Sequence, residues 1–207
     1  MIEVYSDVVC PWCYIGKRRL EQALESSGRQ ASARLFWRPF QLNPTMPKAG
    51  MDRRVYLEAK FGGPGEMQAI HQRISGAGLS AGIEFAFDRI ARTPNTFDAH
   101  RLIWFAQQQG RQDAVVEELF HGYFTEGLNI GEAEVLQSLA GRAGLDGPAV
   151  GRFLQSQDGI EAVRQEEARG RHLGIRGVPY FLVNDKTVVS GAQPGETFLA
   201  AIEQATR

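Results

Sequence analysis

Two cysteines, Cys10 and Cys13, are the only ones in a chain of 207 residues, and they stand in the stretch IEVYSDVVCPWCYIGKRRLEQAL that begins at Ile2. A pair at this spacing has three uses: a redox couple, half of a tetrahedral metal site, or two small core residues. Thiol–disulfide exchange needs a thiolate nucleophile and, within reach, a second thiol that releases the mixed disulfide. At a helix N-terminus the free N–H groups and the positive dipole end favour the thiolate of the first sulfur. On this reading Cys10 attacks and Cys13 resolves. Zinc would need further ligands, yet there is no third cysteine, and His71, His100, His121 and His172 lack knuckle-like spacing. No metal is expected.

The elements around the pair must place it at such a terminus. Residues 2–6 alternate apolar and polar, which reads as a strand. From Pro11 the pattern is helical, with Leu20, Ala23 and Leu24 on one face and Ser26, Ser27 and Gly28 ending it. ARLFWRPF (33–40) reads as a second buried strand, stopped by Pro39 and a proline-rich loop. Helical periodicity then dominates, with Met67, Ile70 and Ile74 aligned, then Ala99, Leu102, Ile103 and Ala106, then Val116, Leu119, Phe120 and Tyr123, then Val135, Leu136, Leu139 and Ala143. Gly110, Gly127 and Gly144 sit where helix ends favour left-handed residues. Within this block GIEFAFD (82–88) alternates like a short extended segment.

The last fifty or so residues return to mixed structure: a helix, the loop IRGVP, a strand YFLVN, a turn at Asp185–Lys186, a strand TVVSG and a final helix. The order β-α-β, helical block, α-β-β-α predicts an α/β chain with a thioredoxin fold and a large α-helical insertion. Residues 1–44 plus 158–207 would form the thioredoxin-like domain and residues 45–157 the inserted helical domain. In that arrangement Pro179 is a cis-proline that brings the Val178 backbone beside Cys10, where an extended substrate can pair as an added strand.

Composition narrows the partners. The chain is 43% hydrophobic and 23% charged with a formal net charge of −1, and its Lys and Arg residues are scattered, so nucleic acid is not an expected partner. No apolar run is long enough to span a bilayer, so no membrane association is expected. If Met1 is the native start, the strand that follows it leaves no room for a signal peptide, and a cytoplasmic location is expected. In a reducing compartment a close Cys pair points to redox chemistry.

Other residues have more than one use. His100, in NTFDAHRL, lies on a helix expected to cap the cleft, where it would line the substrate site, assist proton transfer or pack on the interdomain face. Trp12 would cover the disulfide and offer an apolar contact, and Asp7 places a carboxylate three residues before Cys10. Trp37 and Arg38 read as core and rim. Phe120, Tyr123 and Phe124 read as core.

In order along the chain, SDVVCPWCYIGKRRL, WRPFQLNP, TPNTFDAHRLIWFAQQQG, LFHGYFTEGLNIG, GIRGVPYFLVN and VSGAQP resemble the DsbA-like thioredoxin-fold family, within it the FrnE-type branch grouped with the 2-hydroxychromene-2-carboxylate isomerases. The resemblance covers essentially the full chain. It implies a helical domain inserted into a thioredoxin fold, a redox couple at Cys10 and Cys13 and a cis-proline at Pro179. The implied activity is dithiol–disulfide oxidoreduction with protein or small-molecule thiols, with Pro11, Trp12, Val178, Pro179 and His100 contacting substrate. No bound organic cofactor is implied, with glutathione open as a co-substrate. Two alternatives stand beside it: a glutathione-dependent isomerase, whose members carry a serine where Cys10 stands, and a peptide-binding or chaperone module without turnover. The intact cysteine pair favours redox exchange over both.

Overall fold

The computed structural model describes residues 1–30 and 33–206. The chain opens with β1 (Ile2–Ser6), α1 (Pro11–Ser26) and β2 (Leu35–Pro39). It continues through β3 (Met51–Asp52), α2 (Arg53–Phe61), α3 (Pro64–Leu79), a 3-10 turn at Phe87–Arg89, β4 (Arg92–Thr93), α4 (Phe97–Gln108), α5 (Gln112–Phe124), α6 (Ala133–Arg142) and α7 (Gly147–Gln155). It closes with α8 (Ile160–His172), β5 (Tyr180–Val183), β6 (Thr187–Ser190) and α9 (Gly195–Thr206). The main sheet has the order β2-β1-β5-β6, so strands from both ends of the chain meet at β1. β1 runs parallel to β2 and antiparallel to β5, and β5 pairs antiparallel with β6. This is a thioredoxin fold of the DsbA-like kind.

The alternation in β1 suggests one wet face, yet all five of its residues are buried because helices cover both faces. Val4 is opposite Phe181 and Tyr5 opposite Tyr180, and ladder partners share a face. The Phe181 face meets α1 and α9: a Cβ on Gly16 would lie 3.1 Å from the Phe181 ring, and the Phe181 and Phe198 rings meet edge to face at 4.8 Å. On the Tyr5 face, Gly170 of α8 leaves room for the Tyr5 ring. Glu3, the polar residue of the alternation, is buried against Arg38 and Arg169, each with a nitrogen 2.8 Å from Oε1. Burial alone would push its carboxyl up, but the Arg169 and Arg38 guanidiniums outweigh that and hold it below the ordinary carboxylate range.

α1, the helix that carries the cysteines, is clamped by α5. Lys17 is 2% exposed, and its Nζ lies 3.0 Å from Glu117 and 3.5 Å from Asp113. The Tyr14 hydroxyl donates to Glu117 at 2.9 Å, and the Tyr14 ring stacks on Phe120 at 5.0 Å. Trp37 of β2 donates its indole N–H to Asp113 at 2.9 Å. One hydrophobic cluster therefore runs from Val4 and Phe181 through Tyr14 and Phe120 to Leu139. Trp37 joins it, and Phe120, Tyr123 and Phe124 are fully buried.

Two local expectations are corrected. GIEFAFD forms no strand; it ends in the 3-10 turn Phe87–Arg89, where Phe85 stacks on Phe87 at 4.9 Å and Phe85 meets Phe124 edge to face. Its alternation reflects aromatic stacking onto α5 rather than a ladder. The β5–β6 turn lies one residue earlier than expected: Asn184 and Asp185 take positive φ of 50° and 54°, a conformation that Asn and Asp tolerate better than Lys. The β3–β4 pair has no signature in the sequence, since two-residue strands carry no period. Gly110, Gly127 and Gly144 all take positive φ.

β3 begins where the chain passes against the segment that follows β4. Gly50 has φ +67°, and a Cβ there would lie 2.6 Å from the Thr93 carbonyl oxygen and 3.1 Å from Pro94 Cα. Both backbone conformation and space therefore demand glycine. Gly50→Ala is expected to lower stability by about 1–3 kcal/mol in urea unfolding. A change below about 0.5 kcal/mol would mean the two segments separate freely.

Candidate active site

The site begins where β1 hands over to α1. Cys10 N–H donates to the Asp7 carbonyl at 2.9 Å, closing a tight turn, and the Cys10 carbonyl accepts from Cys13 N–H at 3.0 Å, starting the helix. Cys10 is thus the N-cap of α1, extended at φ −94° and ψ 109°, with Pro11 in the first turn where a missing N–H costs nothing. Its side chain caps nothing, and the residue, 4% exposed, sits at the positive end of the helix. The Cys10 thiol donates to the Val178 carbonyl at 3.6 Å, and the Val178–Pro179 peptide bond is cis. Pro179 packs behind, with its Cγ 3.1 Å from where a Gly16 Cβ would stand.

Cys13 lies one turn deeper and is 1% exposed. Burial pushes its thiol well up, and the neighbouring Cys10 sulfur adds to the effect; the nearby Ser6 hydroxyl and Asp7 main-chain N–H dipoles recover only part of it. Asp7 is itself buried. Its Oδ2 accepts from Leu42 N–H at 2.8 Å, and its Oδ1 faces His100 Nε2 at 3.4 Å.

Cys10 opens into a cavity of about 420 Å³ under the α2–α3 hairpin, walled in part by Pro11, Trp12 and Val178. The stripe Met67, Ile70 and Ile74, legible as a helical face, supplies apolar wall. Two of the residues expected to touch substrate lie off the cavity wall: Pro179, which packs behind Val178 toward Gly16, and His100. His100 is 3% exposed and lies beside a small void with Ser6, Trp37 and Val116. α4 does reach the cavity, but through its N-cap Thr96; four residues on, one helical turn further, His100 has turned inward onto Asp7. Sequence reading did not find Arg53, Lys60, His71 or Arg73, which also line the cavity. They read as ordinary solvated positions on amphipathic helices, and no local signal marks them. Among the described residues no group of three or more His, Cys, Asp or Glu is arranged to hold a metal ion, and no helix is long and apolar enough to cross a membrane.

An extended-to-helical turn that sets one thiol against a cavity and the other a turn deeper, beside a proline loop and under a helical roof, defines a class of thioredoxin folds. Residues 1–203 match the DSBA-like thioredoxin domain, and the chain belongs to that family. It is 29% identical over 202 residues to the uncharacterized protein YwbO of Bacillus subtilis, a match covering 97% of this chain and 94% of that protein. Among solved structures, a probable DsbA oxidoreductase of Streptomyces coelicolor superposes with a TM-score of 0.91 at 34% identity, covering 99% of this chain and 89% of that one. The cytosolic disulfide reductase DsbM of Pseudomonas aeruginosa, in a structure with glutathione, shares the fold at a TM-score of 0.68 and 20% identity, covering 100% and 98% of the two chains.

Alkylation of the reduced native protein near neutral pH should label Cys10 at least about tenfold faster than Cys13, because the deeper thiol is both buried and held protonated. Peptide mapping after brief treatment with iodoacetamide checks this, and equal labelling would contradict the geometry. The raised Cys13 thiol also has a signature in stability. Folding binds its proton more tightly than the unfolded chain does, so its contribution is complete below the ordinary thiol range and is lost as pH climbs through it toward the folded value. Urea unfolding under reducing conditions between about pH 8 and 10 should show falling stability, with a shallower slope in Cys13→Ala. The tyrosines Tyr5, Tyr14 and Tyr123, also pushed up by burial, add to the slope at the upper end of this range.

Proposed function

We propose that the protein is a dithiol–disulfide oxidoreductase that cycles a Cys10–Cys13 disulfide against small-molecule or protein thiols. The observation that carries this reading is the unequal pair at the start of α1: Cys10 at the N-cap, facing the cavity beside the Val178 carbonyl, and Cys13 one turn below and held protonated. In the reducing direction the Cys10 thiolate attacks one sulfur of a substrate disulfide. A Cys10–substrate disulfide forms and one substrate thiolate leaves. Cys13 then gives up its proton and attacks the Cys10 sulfur, releasing the second substrate thiolate. The protein loses two electrons, the substrate gains them, and two substrate thiols result; oxidation of a substrate dithiol runs the same steps backward. The Ser6 hydroxyl and Asp7 N–H dipoles near the Cys13 sulfur would ease the second deprotonation.

Family membership and the 34% identity to a probable DsbA oxidoreductase support the reading. The glutathione structure of DsbM supports a thiol as partner, and that protein's cytosolic description supports a cytoplasmic location here. Organic cofactor and metal have no step in the scheme. Two thiols in place of one also favour exchange over a glutathione-dependent isomerase.

Cys10→Ser should abolish reduction of insulin and of oxidised glutathione. Cys13→Ser should still be attacked once and then accumulate a mixed disulfide, seen as a mass adduct that dithiothreitol removes. Turnover by Cys10→Ser would defeat the assignment, as would isomerisation of a chromene carboxylate with glutathione when both thiols are blocked.

A further inference from the structure

Most of the cavity wall beside Cys10 is apolar, yet three cations reach it from the α2–α3 hairpin: Arg53, Lys60 and Arg73. Elsewhere the fold matches buried or half-buried cations with carboxylates, as at Lys17, Arg18 and Arg38. Among the described residues, none of these three has a carboxylate within ion-pair distance. The one carboxylate on the same wall, Asp7, is engaged by Leu42 N–H and faces His100. The cavity thus carries a positive charge excess that the protein does not neutralise.

Arg53 differs from the other two in how it is held. Its main-chain N–H donates to the Ala91 carbonyl at 3.0 Å, and its Nη1 donates to the Tyr123 hydroxyl at 3.0 Å. The guanidinium lies 5.7 Å from the Phe87 ring centroid and 5.9 Å from that of Tyr123. Its Nε is buried and has no hydrogen-bond partner. A guanidinium fixed on one side by the Tyr123 phenol and by the Phe87 and Tyr123 rings, with no partner for its Nη2 among the described residues, is preorganised for a carboxylate. An unpaired buried donor is otherwise costly. Arg53, Leu57, Met67, His71 and Phe87 also form the wall shared with a second groove of about 740 Å³, lined further by Asp52 and Glu58, neither of which pairs with Arg53. Arg53 therefore stands where the two meet. Lys60 and Arg73 are more exposed; Arg73 lies over the Trp12 ring at 5.8 Å, a position suited to steering at the rim.

We infer that Arg53 is the carboxylate anchor of a site for small, largely apolar disulfides or thiols bearing a carboxylate, whose body lies against Met67, Ile70 and Phe87 while a sulfur meets Cys10. This names the substrate class of the exchange reaction proposed above and rests on that reading for its chemistry, but not for its binding. The reaction remains the two-electron exchange already written, with two carboxylated thiols as products of the reducing direction.

Two measurements on the full chain test it. In the first, the reduced protein reacts with dithiobis(nitrobenzoate), an aromatic disulfide with two carboxylates, and with neutral dithiodipyridine. Arg53→Gln should lower the ratio of the two second-order rate constants for this single oxidation about tenfold or more, chiefly by slowing the carboxylated disulfide, and Arg53→Lys should restore part of it. In the second, nitrobenzoate and nitrobenzamide, which carry no sulfur, are titrated calorimetrically into Cys10→Ser. The carboxylate should bind at least about fivefold tighter, and Arg53→Gln should erase the preference. Equal loss of acid and amide binding in Arg53→Gln, or an unchanged ratio in both measurements, overturns the anchor. A carboxylate preference at Arg53 in the titration, with no exchange of either disulfide by the wild-type chain, keeps the binding site and removes the oxidoreductase reading.

Discussion

Asp7 ties together four parts of the molecule that the site needs in register. Its carbonyl accepts Cys10 N–H at 2.9 Å and closes the turn out of β1, and its Oδ2 accepts Leu42 N–H at 2.8 Å, holding the segment that leaves β2. Its own N–H reaches the Cys13 sulfur. Its remaining oxygen faces His100 of α4. A carboxylate buried to this degree is unfavourable unless its oxygens are engaged. The Leu42 N–H relieves part of that cost, while the main-chain bond to Cys10 N–H sets where β1 ends and α1 begins.

The two cysteines differ through position alone. Two residues of helix carry Cys13 from the open terminus to a site of 1% exposure, where burial and the neighbouring sulfur favour the protonated thiol. The helix cannot slide to even out that difference, because α5 grips it through Lys17, Tyr14 and Glu117 and the sheet face grips it through Gly16 against Phe181 and Pro179. Packing thus gives two residues of one type two different surroundings, as the proposed exchange requires of an attacking and a resolving thiol. The roof follows a different rule. Its α2 buries no residue completely and presents cations to an apolar wall, an arrangement suited to an occupant that brings its own charge.

Much of the chemistry is legible in the amino-acid sequence, because it depends on residues that are neighbours along the chain. A strand-like run, a C-x-x-C and a helix beginning at Pro11 place the pair at a helix N-terminus, and hydrophobic periods mark the strands, the helical block and the Met67–Ile70–Ile74 stripe. The local errors share one origin. Alternation in GIEFAFD comes from rings stacking on α5, and alternation in β1 conceals a strand covered on both faces, where Glu3 is neutralised by Arg38 from β2 and Arg169 from α8. In each case a partner distant in sequence determines the meaning of a local pattern.

The amino-acid sequence by itself determined the fold class and the placement of the cysteine pair at a helix N-terminus, since both follow from residue type and spacing within a few turns of chain. Tertiary structure alone decided the rest of the site. It turned His100 inward onto Asp7, although its helix does reach the cavity at Thr96, and it brought Arg53, His71 and Arg73 from ordinary-looking helix positions to the wall beside Cys10. A side chain's address in a cavity depends on the relative placement of whole helices, and helix placement is set by long-range packing, which no window of sequence encodes.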